Sequence, residues 1–284
     1  MIDNSHSNPV SHSLSRSTGL PIGDEMIELH DIAFAYGRGQ MLLQNMNCGF
    51  ARGRLTALLG PNGCGKSTLL KLAAGLLSPA SGEVLLAGRP LNQYKPREVA
   101  RYVSLLGQLG RQSELTVRQL AELGRYPHCA WGGLRAEDRR SVVQALELAG
   151  VVELGDRRLS TLSGGQLQRA YIALALAQDA DVVLLDEPTA WLDISARFEI
   201  MQLLRQLCAD GKTVAVVMHE LDLALEFADE LLLLEGGRLR AAGRPDELAA
   251  DGSIEQLFGI VMQSCGSADR RFWAFASRQA GNNR

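Results

Sequence analysis

The sequence predicts an α/β protein: a mostly parallel sheet at its core, an antiparallel β subdomain, and an α-helical subdomain inserted into the chain. Three observations carry this. The apolar run Leu55–Leu59 ends in a glycine-rich loop followed by helical Ser67–Leu76, a strand–loop–helix unit of the kind that opens a parallel sheet. Apolar runs return at Val182–Leu185, Val214–Met218 and Leu231–Leu234, separated by helices starting near Ser195 and Glu220. Between them, from about Gln108 to Gln178, the pattern turns helical.

Taken in order, residues 1–24 are rich in Ser, Asn, Pro and Gly, lack a hydrophobic period, and read as a disordered tail. His6 and His12 lie in it without a third ligand nearby, so a solvated tail is a better reading than a metal site. Residues 26–36 (MIELHDIAFAY) alternate apolar and polar side chains, as a half-exposed antiparallel strand does, and a second such strand is expected near Leu42–Phe50. Tyr102–Leu106 reads as a further apolar strand. Glu137–Ala149 carries Val142, Val143, Leu146 and Ala149 at helical spacing, and Gln166–Ala177 is a second strong helix. Residues 25–260 form the main domain, with the helical subdomain at about 108–179. Residues 261–284 form an extension of unread role, in which Arg271–Ala276 suits a peripheral strand with Phe272 and Trp273 packed inward.

The 284 residues, 46% apolar and 21% charged, suit a chain that buries a sizeable core. A net charge of -3 argues against a sequence-independent nucleic-acid binder. No stretch approaches the ~18 consecutive apolar residues of a membrane span, and no secretory signal precedes the first strand. Work at a membrane would go through a partner protein. Cys48, Cys64, Cys129, Cys208 and Cys265 are scattered and unpaired in spacing, which suits reduced thiols.

Two motifs carry phosphate chemistry. Gly60, Pro61, Asn62, Gly63, Cys64, Gly65, Lys66, Ser67 and Thr68 satisfy GxxxxGK[ST]. Successive N–H groups converge on an anion there, glycines admit positive φ, Lys66 reaches the outer phosphates and Ser67 can ligate Mg²⁺. The helix that follows directs its positive end at the same anion. Cys64 is read as a small residue tolerated in the loop. The run Val182–Leu185 then delivers Asp186 and Glu187 to the C-terminal end of a buried strand, where ligands bind in open α/β sheets. Asp186 would hold Mg²⁺ directly or through water, and Glu187 would position or deprotonate an attacking water. Both motifs are shared by many ATPases and GTPases.

Leu162-Ser163-Gly164-Gly165-Gln166 narrows the reading. Ser163 can N-cap the next helix, and Gly164 and Gly165 expose N–H groups at its positive end, a second anion site. With these motifs in this order, residues from about Met26 to Gly259 resemble an ABC (ATP-binding cassette) ATPase, whose core is a P-loop NTPase of the RecA-like kind. The resemblance implies ATP and Mg²⁺ as cofactors, Tyr36 stacked on adenine, Gln108 contacting Mg²⁺ and water, and His219 linking the γ-phosphate to Glu187. It also implies a head-to-tail dimer in which the Lys66 loop of one copy and Ser163–Gln166 of the other enclose each ATP, with Asp193 communicating between the sites. Trp191 departs from the common form of the Asp193 segment, and Glu220 replaces the aspartate that commonly follows the histidine.

Among ABC machines, one cassette without long heptad coiled coils, retaining Glu187 and His219, points to a transport motor rather than a DNA-repair, ribosomal or non-hydrolysing protein. The segments Glu122-Leu-Gly-Arg125-Tyr-Pro127-His128 and Glu187–Ser195 resemble import ATPases serving ferric siderophores, haem and cobalamin. The first segment lies where such motors receive the permease's coupling helix, and reads equally as a helix-terminating turn at Gly124 and Pro127. The implied partners are a second copy, an integral-membrane permease and, indirectly, a substrate-binding protein, at the cytoplasmic face of the membrane. A motor for another cargo or for export is the alternative.

Overall fold

Residues 25–37, 39–107, 114–129, 133–267 and 270–277 are described by a computed structural model. Strands β1 (Glu25–Phe34) and β2 (Leu43–Ala51) pair antiparallel. Alternation in β1 buries Ile27 and Leu29, and a register shift after Leu29, where Asp31 takes a φ of 49°, brings Ile32 and Phe34 into the core as well. The wholly buried β3 (Leu55–Leu59) leads through the glycine-rich loop into α1 (Lys66–Ala73). The chain then returns to the first sheet as β4 (Ser81–Leu86) and β5 (Arg89–Pro90), giving the order β2-β1-β4-β5. Next come α2 (Pro96–Tyr102), β6 (Val103–Leu106) and the helices α3 (Val117–Leu123), α4 (Ala136–Leu148) and α5 (Gly164–Ala177). The remainder runs β7 (Val182–Asp186), α6 (Ile194–Ala209), β8 (Thr213–Val217), α7 (Leu221–Phe227), β9 (Glu230–Glu235) and β10 (Arg238–Gly243). It closes with α8 (Pro245–Ala250), α9 (Ser253–Phe258) and the hairpin β11 (Ile260–Ser267) and β12 (Arg270–Ser277).

The second sheet has six strands in the order β10-β9-β3-β8-β7-β6, all parallel except the edge strand β10. Side chains of β3, β7 and β8 are buried on both faces, which is why these strands read as unbroken apolar runs. One face packs on α5, α6 and their neighbours through Leu59, Leu185, Val216 and Leu233. The other packs on α1 and the antiparallel sheet through Leu58, Leu184, Val217 and Leu232 against Ile27, Phe50 and Leu69. The register sets Leu58 opposite Val217 and Asp186 opposite Val217, so β3, β7 and β8 end at one edge. Everything the phosphate motifs supply emerges there.

Several elements differ from the sequence reading. Helix α1 stops at Ala73 rather than Leu76, because Gly75 takes a left-handed φ of 69°. Tyr102 closes α2 and is not the first residue of a strand. Strands β4, β5, β10 and β11 and helices α2, α3, α8 and α9 had not been read. In the hairpin Trp273 packs against the core, whereas Phe272 is 56% exposed, contrary to the expectation that both face inward. The tail with His6 and His12 lies outside the described residues. Among the described residues no helix is long and apolar enough to cross a membrane.

Candidate active site

The loop after β3 is shaped by three glycines with positive φ, Gly60 at 151°, Gly63 at 78° and Gly65 at 103°. A Cβ at Gly60 would collide with the Leu234 carbonyl, and one at Gly65 with the Leu43 side chain. Glycine is therefore demanded twice over, by dihedral and by space. The buried Lys66 amine donates to the carbonyls of Gly60 (2.7 Å) and Pro61 (3.1 Å), so it is held across the mouth of the loop. Pro61, Asn62 and Gly63 form the exposed crest, while Cys64 is buried, and burial raises its thiol pKa against the opposing pull of Lys66. Ser67 donates to Asp186 Oδ1 at 3.0 Å, joining the start of α1 to the end of β7. Thr68 pairs its hydroxyl with the Tyr36 phenol at 3.2 Å, and the exposed Tyr36 ring stands edge-on to Phe34 beside the same helix.

Burial pushes the Asp186 carboxyl above its usual range; the Ser67 hydrogen bond opposes this and the neighbouring Glu187 charge adds to it. Glu187 itself adopts φ 56°, a left-handed conformation rare for a residue with a side chain. Its N–H donates to the Val217 carbonyl at 3.0 Å, so the end of β8 holds it in place. Its carboxylate Oε1 lies 3.0 Å from His219 Nε2. Two residues distant in sequence, each following the end of an adjacent strand, meet because β7 and β8 are neighbours.

Ser163 caps α5 as expected, accepting from the Gln166 N–H at 3.3 Å while the Gln166 side chain accepts from the Ser163 N–H at 3.1 Å. Ser163 and Gly164 are exposed at the start of a 14-residue helix. A Cβ on Gly164 would sit 3.5 Å from Trp191, and one on Gly165 3.2 Å from Leu192, so the two glycines bring α5 tightly onto the turn after Glu187. Trp191 is left-handed (φ 64°) and 81% exposed. Asp193 caps α6 by accepting from the Ala196 N–H at 2.8 Å. Gln108 falls outside the described residues.

Gln168, Thr189 and Arg197 were missed in the sequence, and Glu220 was noted there without a role. Gln168, buried in α5, donates to the Pro188 carbonyl at 2.9 Å. Glu220 accepts from the Thr189 hydroxyl (3.1 Å) and the His219 N–H (3.2 Å) and pairs with Arg197 (3.3 Å). Arg197 also donates to the Leu192 carbonyl at 3.0 Å. Glutamate at 220 thus ties the histidine to the Asp193 turn. The legible signal was Gln168 at i−4 from Ile172, a polar group on the buried row of α5.

A family model described as ABC transporter matches residues 43–190. The chain is 40% identical to the ferric enterobactin transport ATP-binding protein of Escherichia coli K12 over 235 residues, 81% of this chain and 85% of that one. The chain belongs to the ABC transporter ATP-binding family. As an ABC ATPase it binds and hydrolyses ATP. It is also 37% identical to the hemin import ATP-binding protein of Rhizobium meliloti, over 84% of this chain and 93% of that one. Among solved structures, the ABC ATPase superposes on the inward-facing form of a putative metal-chelate type ABC transporter with a TM-score of 0.76 at 26% identity, over 89% of this chain and 97% of that one. The dimeric cassette MJ0796, a bacterial ABC transporter cassette by its description, matches at a TM-score of 0.69 and 30% identity, over 78% and 99%.

In this ABC ATPase the Glu122–His128 segment begins in the last residues of α3 and passes through a turn. A Cβ on Gly124 would collide with the Leu174 carbonyl. Arg125 turns inward, bonding Asp138 at 3.0 Å and the Ala177 carbonyl at 2.9 Å, while Tyr126 stands 69% exposed. Beside it opens a cavity of about 730 Å³ lined by Leu115, Leu123, Tyr126 and Leu134 together with the charged Arg97 and Glu122.

Proposed function

We propose that this ABC ATPase is the motor of an importer for a metal chelate, an iron chelate (ferric siderophore or haem) or cobalamin, acting through a separate permease at the cytoplasmic face of the membrane. Relatives whose names give enterobactin and hemin transport support the cargo class. The cavity beside Tyr126, apolar at Leu115, Leu123 and Leu134 and charged at Arg97 and Glu122, suits an amphipathic helix of the permease. The observation that carries the hydrolytic reading is the contact of Glu187 with His219 at the strand ends, beside the Lys66 loop.

In this reading Gly60–Thr68 cradle the phosphates through backbone N–H groups, and Lys66 turns its amine from the Gly60 and Pro61 carbonyls to the β- and γ-phosphates. Tyr36 supports the adenine. The Ser67 hydroxyl and Asp186 carboxylate are adjacent hard oxygen donors and fit Mg²⁺. Held there by Ser67 and Asp186, such an ion would supply neutralisation of the phosphate charge. Glu187 orients a water in line with the γ-phosphate and takes its proton, while His219 holds the Glu187 carboxylate and the γ-phosphate together. Gln108 joins this group on closure. A second copy, packed head to tail, brings Ser163, Gly164, Gly165 and Gln166 to the far side of the triphosphate, and Asp193 meets its counterpart's loop near the dimer axis. ATP closes the pair; its cleavage removes the bridge and the pair reopens.

Glu187→Gln tests this. The variant is expected to keep ATP binding, lose nearly all turnover and accumulate as a dimer by light scattering in ATP. Full turnover would remove Glu187 from its role.

A further inference from the structure

Glu187 sits in a strained left-handed backbone conformation, which persists only where neighbours over-determine it. Its N–H is held by Val217 of β8. On the other side the Gln168 amide, only 2% exposed, reaches the Pro188 carbonyl at 2.9 Å and the Glu187 carbonyl at 3.5 Å. Both contacts are to acceptors, so the amide nitrogen must face them. Gln168 lies five residues beyond Ser163 on the same helix, and Gly164 and Gly165 draw that helix onto the Glu187–Asp193 turn.

We propose that Gln168 is a positioning residue for hydrolysis, fixing the left-handed backbone of Glu187 in its own chain while its helix presents Ser163 to the nucleotide of the other chain. The proposal rests on the head-to-tail dimer. It predicts an asymmetry: Gln168 acts on the site of its own Glu187, in cis, whereas Ser163 acts in trans. Were Gln168 only a prop for the Ser163 turn, its loss would be felt at the opposite site.

The decisive experiment uses mixed dimers of the full chain, carrying two different affinity tags and purified through both, with Lys66→Ala emptying one site and sparing that chain's Ser163 turn. Gln168→Met keeps the side chain's length and removes its donors. Placed in the chain that retains Lys66, it is expected to lower kcat about tenfold with KM for ATP within about twofold, since stranding buried carbonyls costs roughly the tenfold unit of a barrier. Placed in the Lys66→Ala chain, it should leave kcat within about twofold of the dimer with one emptied site. The reverse ordering, or no effect in either place, overturns the proposal. Gln168→Asn, which withdraws the amide by one methylene, is used if the Met variant does not fold, with the same ordering expected. Nucleotide-dependent dimerisation of the Glu187→Gln homodimer is measured alongside; its absence would count against the dimer, and not against the contact of Gln168 with Glu187.

Discussion

Arg125→Ala removes a clamp from the centre of the helical region. The guanidinium is surrounded by the turn after α3, the first turn of α4 and the last turn of α5, and both it and Asp138 keep less than a tenth of their side-chain surface. Truncation strands the Asp138 carboxylate with the Arg135 N–H at 2.9 Å and takes the side-chain donor from the Ala177 carbonyl. Breaking a buried ion pair from one side costs about 3–5 kcal/mol. A domain of this size loses about 2–4 °C of Tm per kcal/mol, so the melt should fall by roughly 6–20 °C. The Arg135 N–H bond, followed by Arg125, holds the Asp138 carboxyl below the usual aspartate range. Its contribution is therefore present above the ordinary aspartate value and is lost as pH falls through the lower folded-state value, so the deficit should be complete at neutral pH. Arg125→Lys should recover only part of the loss, because one ammonium does not reproduce the guanidinium fork. Thermal unfolding of the full chain followed by circular dichroism reads this directly. A melt for Arg125→Ala within about 2 °C of the parent would refute an inward structural role for Arg125.

Two further outcomes follow from other parts of the molecule. Burial, with Glu25 adding and Arg54 opposing, pushes Glu230 up to about 7. Its folded state therefore binds the extra proton: the contribution is full below the ordinary glutamate value and is lost as pH rises through about 7. Glu230→Gln should then gain stability over the parent in urea melts above pH ~8 and show no gain near pH ~4; equal pH profiles for the two would contradict this. Tyr36→Ala should raise KM for ATP several-fold with kcat retained, as expected for lost uniform binding, and an unchanged KM would take Tyr36 away from the adenine.

What could be read from the sequence had local causes. Strand β7 was legible because burial on both faces leaves only apolar residues before Asp186. The loop at Gly60–Lys66 was legible because positive φ and close backbone approach demand glycine at fixed spacing. The Ser163 cap was legible as serine followed three residues later by glutamine. What stayed hidden is non-local. The 3.0 Å contact of Glu187 with His219 was expected only through the family resemblance, because it depends on β7 lying beside β8, which no spacing encodes. Arg125 lies in a breaker-rich segment, so its inward turn depends on α4 and α5 meeting there. Glu220 was read as a charge-preserving exchange, yet its carboxylate joins Thr189, His219 and Arg197. Short amphipathic pieces such as α8 and α9, six residues each, fall below the length at which a helical period declares itself.

The composite site is tested most directly by complementation. Lys66→Ala destroys the loop of a chain and spares its Ser163 turn; Ser163→Arg blocks the turn and spares the loop. Each homodimer should be inactive, and an equimolar mixture, unfolded and refolded together, should regain about a quarter of parental turnover, because about half the dimers then carry one complete site of two. Silence in the mixture, or full turnover by the Ser163→Arg chain alone, would contradict a reaction centre shared between two copies.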